Sequence, residues 1–216
     1  MTAYPTDEEA RDLLIRVGRL LYEEGLNTGT DGNFSCRVDG GAHLWTTCSG
    51  SAKGFLTEAD LVKTDLDGRV LEGTAKPSSE LKLHLCCYRN RGDAQAVAHA
   101  HPPYATSFAL RCEPIETRGY PELMLHYGRG PVCRYGRAST EAVNADVPAV
   151  LQEYDAFLLA NHGLAAVAAT ALDAAYKLEG IETIAKVLHL ARERGGECPL
   201  GDADVAEIER LRLSAR

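Results

Sequence analysis

Two tight turns between short alternating stretches constrain the fold more than any other feature of the sequence. One alternating stretch begins in NTGTDGNFSCRV and continues into HLWTT through the turn Asp39-Gly40-Gly41, and a second hairpin turns at Asp67-Gly68. Hairpins join antiparallel neighbours, whereas a doubly wound parallel sheet needs a helix between successive strands. Helical patterns stand at both ends of the chain. The sequence therefore predicts an α/β fold in which helices cover a mixed or mostly antiparallel sheet.

The remaining elements follow from local signals. Thr6 and Glu9 form a capping box ahead of apolar residues at helical spacing, which predicts a first helix that ends near Gly25. Further strands are predicted in AQAVAHAH and, as two pieces around a turn, in DAFLLANHGLAAV. Further helices are predicted in TEADLV (capped by Thr57), KPSSELKLHLCCYRNRG (capped by Ser78 or Ser79), PPYATSFALR, STEAVNADVPAVLQEY, TALDAAYKLEGIETIAKVLHLARERGG and the tail after Pro199. Residues 112–137 give no clear pattern.

Size and charge exclude several classes of function. A chain of 216 residues predicts one domain spanning residues 1–216. With 23 basic and 31 acidic residues, its formal charge of −8 argues against nucleic acid or an anionic membrane as a partner. No apolar run approaches the ~18 residues that span a bilayer. Seven cysteines without a C-x-x-C pair, and an acidic N-terminus unlike a signal peptide, favour a reducing cytoplasm.

Two histidines stand one residue apart in AVAHAHPPYATSFA. Alternate residues of a strand point to the same face, so His99 and His101 could offer two imidazoles to one metal ion. A pair of this kind also arises by chance, so by itself it indicates a metal site only weakly. The Pro-Pro step that follows is typical of a helix start.

Other parts of the chain could complete the ligand set. His162, in LLANHGL, follows an apolar run, and Glu80, in KPSSEL, belongs to the first turn of a predicted helix. Each has an ordinary alternative, because turns often carry histidine and helix N-termini favour acids. Three imidazoles and one carboxylate together suit tetrahedral zinc. The other histidines, which have no partner at ligand spacing, are predicted to be surface or packing residues: His43, His84, His126 and His189.

Three short segments suit an anion, since each combines polar groups with a turn that exposes backbone N–H groups. They contain Gly32 and Asn33, Ser49 and Gly50, and Ser78 and Ser79. The last pair is predicted to stand at a helix N-terminus, where phosphate binds readily.

As a set, these segments resemble the class II aldolase/adducin family, and most closely its L-fuculose-1-phosphate aldolase branch. The resemblance is carried by GLNTGTDGNFSCRV, TTCSGSAKGFLTEADLV, KPSSELKLHLCCYRNRGDAQAVAHAHP and LLANHGL, in the order and spacing of the family, over roughly residues 10–190. It implies a three-layer α/β/α sandwich around a mostly antiparallel sheet. It also implies a homotetramer with active sites between subunits, acting on a small phosphorylated sugar.

The resemblance also assigns roles to residues. His99, His101 and His162 would bind one Zn²⁺ per chain, and Glu80 would be the acid/base that also touches the metal at rest. The phosphate would be held by Gly32, Asn33, Ser49, Gly50, Ser78 and Ser79. The implied reaction is cleavage of a ketose 1-phosphate to dihydroxyacetone phosphate and an aldehyde through an enediolate.

The proton donor to the aldehyde oxygen would be a tyrosine of the adjacent subunit. Tyr120 best fits that role, with Tyr127 as the rival, because the segment aligns poorly. The chain departs from the family pattern in two places that bear on aldehyde specificity: its tail contains no tyrosine, and Cys48 stands where proline is usual.

Alternative functions keep the same zinc site. The relatives include sugar-phosphate 4-epimerases, methylthioribulose-1-phosphate dehydratases and decarboxylases of phosphorylated sugar acids, and a basic residue near the distal end of the substrate would favour a decarboxylase. A non-catalytic module like the adducin head is a further alternative. It predicts lost ligands, whereas all four candidate ligands are present here.

Overall fold

The computed structural model describes residues 3–214, and its centre is one eight-stranded sheet. The strands are β1 (Asn33–Val38), β2 (His43–Thr47), β3 (Leu61–Asp65), β4 (Val70–Glu72), β5 (Ala96–Ala100), β6 (Val132–Cys133), β7 (Ala156–Leu159) and β8 (Gly163–Ala168). Their order across the sheet is β4-β3-β2-β1-β5-β8-β7-β6. All neighbours are antiparallel except β6 and β7. The predicted mostly antiparallel sheet is confirmed.

Helices cover both faces of this sheet and give three layers. The helices are α1 (Asp7–Glu23), α2 (Leu81–Asn90), α3 (Pro103–Leu110), α4 (Pro121–His126), α5 (Val147–Val150), α6 (Ala171–Glu193) and α7 (Asp202–Ser214). Helices α1, α3 and α6 share one apolar core with the sheet, and α2 and α5 share another. Within residues 3–214, no helix has the length and apolar character needed to cross a membrane.

Strand alternation decides which side chains face α2. On β5, Ala96 and Ala98 belong to the core under α1 and α6, whereas Val97 belongs to the core under α2. His99 shares the face of Val97 because the two are two residues apart. The same alternation turns Phe34 toward α1 and leaves its neighbours on β1 facing α2. Polar residues of two central strands are thus directed at one helix.

Several predicted elements are confirmed. The capping box of Thr6 and Glu9 starts α1, the predicted hairpin joins β1 to β2, and the long predicted helix is α6. The two strand pieces predicted around His162 are β7 and β8.

Three predicted helices need correction. In TEADLV, Thr57 caps only a 3-10 turn (Glu58–Asp60), because the next residues pair with β2 as strand β3. STEAVNADVPAVLQEY is divided into a 3-10 turn (Glu141–Asn144) and the single turn of α5. The N-cap of α2 is Glu80, so the serines predicted to cap it lie ahead of the helix.

Candidate metal centre and substrate-binding loops

Three imidazoles converge at the end of the central strands. His99 lies in β5, His101 follows that strand, and His162 lies in the turn that connects β7 to β8. The Nε2 atom of His99 is 3.1 Å from Nε2 of His101 and 3.3 Å from Nε2 of His162. The ligand atoms of all three lie within 4.8 Å of one another. The predicted histidine set is therefore brought together.

The central imidazole has a fixed tautomer. The main-chain carbonyl of Leu164, which can only accept, lies 2.9 Å from Nδ1 of His99, so Nδ1 donates its proton there. Burial, together with the neighbouring His162 and His101, holds the pKa of His99 well below its usual range. Burial also lowers the pKa of His162, although Glu80 opposes that effect. Neutral imidazoles with an unprotonated Nε2 are the form that binds metals.

Glu80 closes the fourth side of the cluster. Its Oε2 atom lies 3.4 Å from Nε2 of His99, and its Oε1 atom lies 3.2 Å from Nε2 of His162. The side chain of Asn33 fixes the carboxylate, because its Nδ2 donates to Oε2 at 2.8 Å. Oε1 is buried and accepts no hydrogen bond. A buried carboxylate oxygen without a donor is costly unless a cation faces it.

This donor set fits a divalent metal. Two nitrogens bound to one tetrahedral zinc at about 2.05 Å stand about 3.3 Å apart, close to the 3.1 and 3.3 Å separations of the imidazole nitrogens. The uncompensated oxygen of Glu80 points in the same direction. His99, His101, His162 and Glu80 could therefore hold a metal ion, with Glu80 placed to serve also as a proton-transfer group.

The first predicted anion segment lies directly beside the imidazoles. Gly32 has a φ of +77°, and a Cβ there would meet Oδ1 of Asn27 at 2.7 Å and the carbonyl of His99 at 2.8 Å. Only glycine fits such a position. The side chain of Asn33 contacts Glu80 and, through Oδ1, His84 at 2.6 Å. Both ends of the side-chain amide are therefore engaged, and the predicted phosphate role of Asn33 stays a prediction that would fall to its main chain.

The second and third segments are joined to each other. Cys48 and Pro77 form an isolated antiparallel bridge. On either side of it, the amide of Ser49 donates to Lys76 and the amide of Ser78 donates to Thr47. Exposed residues at this junction include Ser49, Gly50 and Ser79, whereas Ser78 is half-buried and accepts a bond from the amide of Glu80. The chain thus holds the predicted serines at the start of α2.

The buried side chain of Lys53 connects the loop ahead of Gly32 to the loop that follows Gly50. Its Nζ atom donates to the carbonyl of Ser51 at 2.6 Å and to that of Thr30 at 3.1 Å. Burial lowers the pKa of this lysine, although Asp31 and Asp60 partly offset the effect. No sequence pattern singles out this residue, because a lone lysine in a polar loop normally extends into solvent.

The tyrosine candidates lie elsewhere on the chain. Tyr120 and Tyr127 stand at the two ends of α4 and line a surface cavity of about 340 Å³ beside α6. Burial raises the pKa of Tyr127, and Glu179 adds to the effect. Within residues 3–214 of one chain, neither tyrosine makes a hydrogen bond or ring contact with the imidazoles. The assignment of a donor to one of them remains a prediction about a neighbouring subunit.

The structure thus combines an α/β/α sandwich with three histidines and a carboxylate at the end of its central strands. The family model described as the class II aldolase and adducin N-terminal domain matches residues 12–189. The chain therefore belongs to the class II aldolase and adducin family.

Two kinds of named relatives are similar to the chain over most of its length. A 3-oxo-tetronate 4-phosphate decarboxylase of Pectobacterium atrosepticum is 32% identical, with 94% of each chain covered. An L-fuculose phosphate aldolase of Methanococcus vannielii is 32% identical, covering 82% of this chain and 93% of the relative. Among solved structures, an L-fuculose 1-phosphate aldolase superposes with a TM-score of 0.86 at 31% identity, covering 96% of this chain and 97% of the other.

Proposed function

We propose that the protein is a zinc-dependent lyase that cleaves a ketose 1-phosphate and releases dihydroxyacetone phosphate and an aldehyde. The observation that carries this proposal is the carboxylate of Glu80, held by Asn33 against three converging imidazoles. That arrangement combines a metal cradle with one proton-transfer group. We further propose one catalytic domain per chain, a cytoplasmic location and a homotetramer with sites between subunits.

The names of the relatives define a common substrate unit. L-fuculose 1-phosphate and 3-oxo-tetronate 4-phosphate both contain a hydroxyl-bearing carbon, a ketone and a phosphorylated CH₂ group in a row. Breaking the bond on the outer side of the hydroxyl-bearing carbon leaves the same three-carbon enediolate in both cases. Protonation at that carbon then gives dihydroxyacetone phosphate. The two activities differ only in the leaving group, which is an aldehyde in one and carbon dioxide in the other.

The residues divide the chemistry between them. His99, His101 and His162 would hold the zinc ion, which when bound supplies a Lewis acid beside the substrate carbonyl. Glu80 transfers the proton to and from the hydroxyl-bearing carbon, and Asn33 orients it.

Substrate binding falls to the loops and to the neighbouring subunit. Gly32, Asn33, Ser49, Gly50, Ser78 and Ser79 are proposed to bind the phosphate. The serines would use their hydroxyls, because the amides of Ser49 and Ser78 are already engaged, and the others their main-chain amides. A tyrosine of the adjacent subunit, Tyr120 or its rival Tyr127, exchanges the proton of the aldehyde oxygen.

Local charge favours the aldehyde as leaving group. The charged side chains that contact the imidazoles in residues 3–214 are Glu80 and Asp31, whose Oδ2 lies 3.8 Å from Nδ1 of His101. Together they offset the two positive charges of a bound Zn²⁺, so the cluster has no excess positive charge to hold a substrate carboxylate. A neutral aldehyde end does not need one.

Decarboxylation is the second candidate, and a specific observation favours it. Relatives named 3-oxo-tetronate 4-phosphate decarboxylase match at 32% and 31% identity over 94% and 95% of this chain. Loss of carbon dioxide also needs only one protein-borne proton, which Glu80 alone could deliver to the carbon.

One experiment tests the proposal and separates the two candidates. The zinc-loaded protein is incubated with L-fuculose 1-phosphate and, separately, with 3-oxo-tetronate 4-phosphate, and dihydroxyacetone phosphate, aldehyde and carbon dioxide are all measured. Dihydroxyacetone phosphate by itself does not distinguish the candidates, because both release it. Equal amounts of aldehyde and dihydroxyacetone phosphate support the aldolase, and carbon dioxide in place of aldehyde supports the decarboxylase. If neither substrate yields dihydroxyacetone phosphate while ketose 5-phosphates react, the lyase proposal is wrong. Glu80→Gln is the inactive control.

A further inference from the structure

A continuous chain of buried polar side chains extends behind the candidate site. Glu80, His84 and Tyr88 recur every four residues and so share one face of α2, which lies against β1. The Nε2 atom of His84 is 2.6 Å from Oδ1 of Asn33, and its Nδ1 atom is 2.6 Å from Oγ of Ser35. Ser35 Oγ is also 2.7 Å from the hydroxyl of Tyr88. This hydrogen-bond network therefore links Tyr88 to Glu80 through four hydrogen bonds.

The chemistry of the end groups fixes the direction of every bond in this chain. The carboxylate of Glu80 accepts, so the amide group of Asn33 donates and its carbonyl Oδ1 faces away. That carbonyl can only accept, so Nε2 of His84 carries a proton and donates it. His84 is completely buried, and burial lowers its pKa to about 3, so the ring is neutral and has one N–H group.

The remaining two bonds follow from that tautomer. Nδ1 of His84 must accept, so the hydroxyl of Ser35 donates to it and in turn accepts from Tyr88. Tyr88 can supply that proton, because burial raises its pKa well above the usual range. In each of the four hydrogen bonds, a donor thus faces an acceptor.

We propose that His84 is a positioning residue, whose Nε2–H group locks the amide of Asn33 with its NH₂ toward Glu80 and thereby holds that carboxylate against the three imidazoles. The inference deepens the proposed function and rests on the role given there to Glu80. It would add a role to His84, which the sequence predicts to be a surface or packing residue and the structure buries.

Removal of the His84 donor changes what Asn33 presents to Glu80. In His84→Leu, Oδ1 of Asn33 is buried without a donor, and the amide loses one of the two side-chain hydrogen bonds that fix its position. The amide then shifts to reach another donor or water, and Glu80, which it holds, moves from its place beside His99. A displacement of about 1 Å at a reacting group costs about 100-fold in rate, so kcat is expected to fall by about that factor with little change in KM.

Two substitutions separate positioning from packing. Leucine fills the apolar space of His84 but donates nothing, whereas glutamine fits less well and retains an N–H donor for Asn33. Positioning predicts that His84→Gln keeps more activity and binds Zn²⁺ more tightly than His84→Leu. A residue that only fills space gives the opposite order, and that order would overturn the proposal. Tyr88→Phe, which breaks only the far end of the chain, is expected to retain kcat within about threefold.

A direct measurement needs neither substrate nor variant. Nitrogen-15 NMR of the imidazoles in the full-length, metal-free protein reports which ring nitrogen of His84 carries the proton. A proton on Nε2 supports the proposal, and a proton on Nδ1 or on both nitrogens refutes it. Since this readout and the zinc affinity are independent of turnover, a failed lyase assay leaves them intact. Conversely, lyase activity together with the wrong tautomer would overturn only the inference about His84.

Discussion

Gly163, the first residue of β8, lies so close to the imidazoles that one added methyl group should disturb the metal centre. A Cβ at this position would stand 2.5 Å from Cδ2 of His101 and 2.6 Å from the carbonyl of Ala100. Relief to an ordinary carbon contact of about 3.5 Å requires a movement of about 1 Å. The backbone of Gly163 is outside the left-handed region, so alanine introduces no torsional strain and the effect is purely steric.

The expected cost has two separable parts. Overpacking of this kind destabilises a protein by about 1–3 kcal/mol, which urea unfolding of the metal-free protein measures. A displacement of about 1 Å at His101 should also weaken zinc binding and lower the lyase rate by about 100-fold. Zinc affinity is measured by competition with a chromophoric chelator, so this part does not depend on knowing the substrate.

Gly92 provides the matched control. It lies beyond α2 with no atom within 4 Å of a built Cβ and no left-handed backbone. Gly92→Ala should therefore leave zinc affinity and rate unchanged and raise the unfolding free energy by no more than about 1 kcal/mol. If Gly163→Ala binds zinc as tightly as the wild type and turns over at the same rate, the histidine cluster is not the metal centre in the arrangement described here.

Three further outcomes are expected. His99→Ala should reduce bound zinc from about one per chain to almost none by elemental analysis; unchanged zinc content would reject the ligand assignment. Lys53→Met should weaken competitive inhibition by inorganic phosphate about tenfold. The control is Lys63→Met, which removes a buried lysine that pairs with Asp7 away from the loops and should leave the inhibition unchanged. Equal effects of the two substitutions would reject the loop role of Lys53. Burial lowers the pKa of His84 to about 3, so the unfolded chain, with a value near ~6.5, binds more protons as pH falls. The unfolding free energy of the metal-free wild type should thus fall as the pH is lowered from 6 to 4. Its fall should exceed that of His84→Gln by about 1.4 kcal/mol per pH unit. Equal pH dependence of the two proteins in urea titrations would contradict this.

Elements with strong local signals could be predicted from the sequence. The capping box at Thr6 and the turn at Asp39 depend on neighbours within a few residues, so α1 and the hairpin of β1 and β2 were predicted correctly. The helix predicted after Thr57 was wrong because pairing of Leu61 with Thr47 on β2 overrides a local helical pattern. Helix α4 (Pro121–His126) and β6 gave no usable signal, since they are short and β6 is defined by its pairing with β7.

In the candidate site, too, some residues could be predicted from the sequence and others could not. The histidines could be selected because H-x-H in a strand and His before glycine are visible in the sequence, and the resemblance supplied their common role. His84 and Lys53 could not, because their importance depends on contacts with residues distant in the sequence, such as Asn33 and Thr30. The spacing of Glu80, His84 and Tyr88 is the signal that could have found the buried network, since it places three polar residues four apart on the side of α2 that also carries its buried apolar residues.

The position of the site within the strand order has a consequence for how the protein opens. His99 lies on β5, which is flanked by β1 and β8, and all three strands have sheet neighbours on both sides. Amides in such central strands exchange with solvent only when the whole domain unfolds, whereas loops and edges open at a small fraction of that free energy. His99 should therefore be among the last residues of the site to lose its place. His101 and His162 lie outside the strands, so local opening would reach them before it reaches His99.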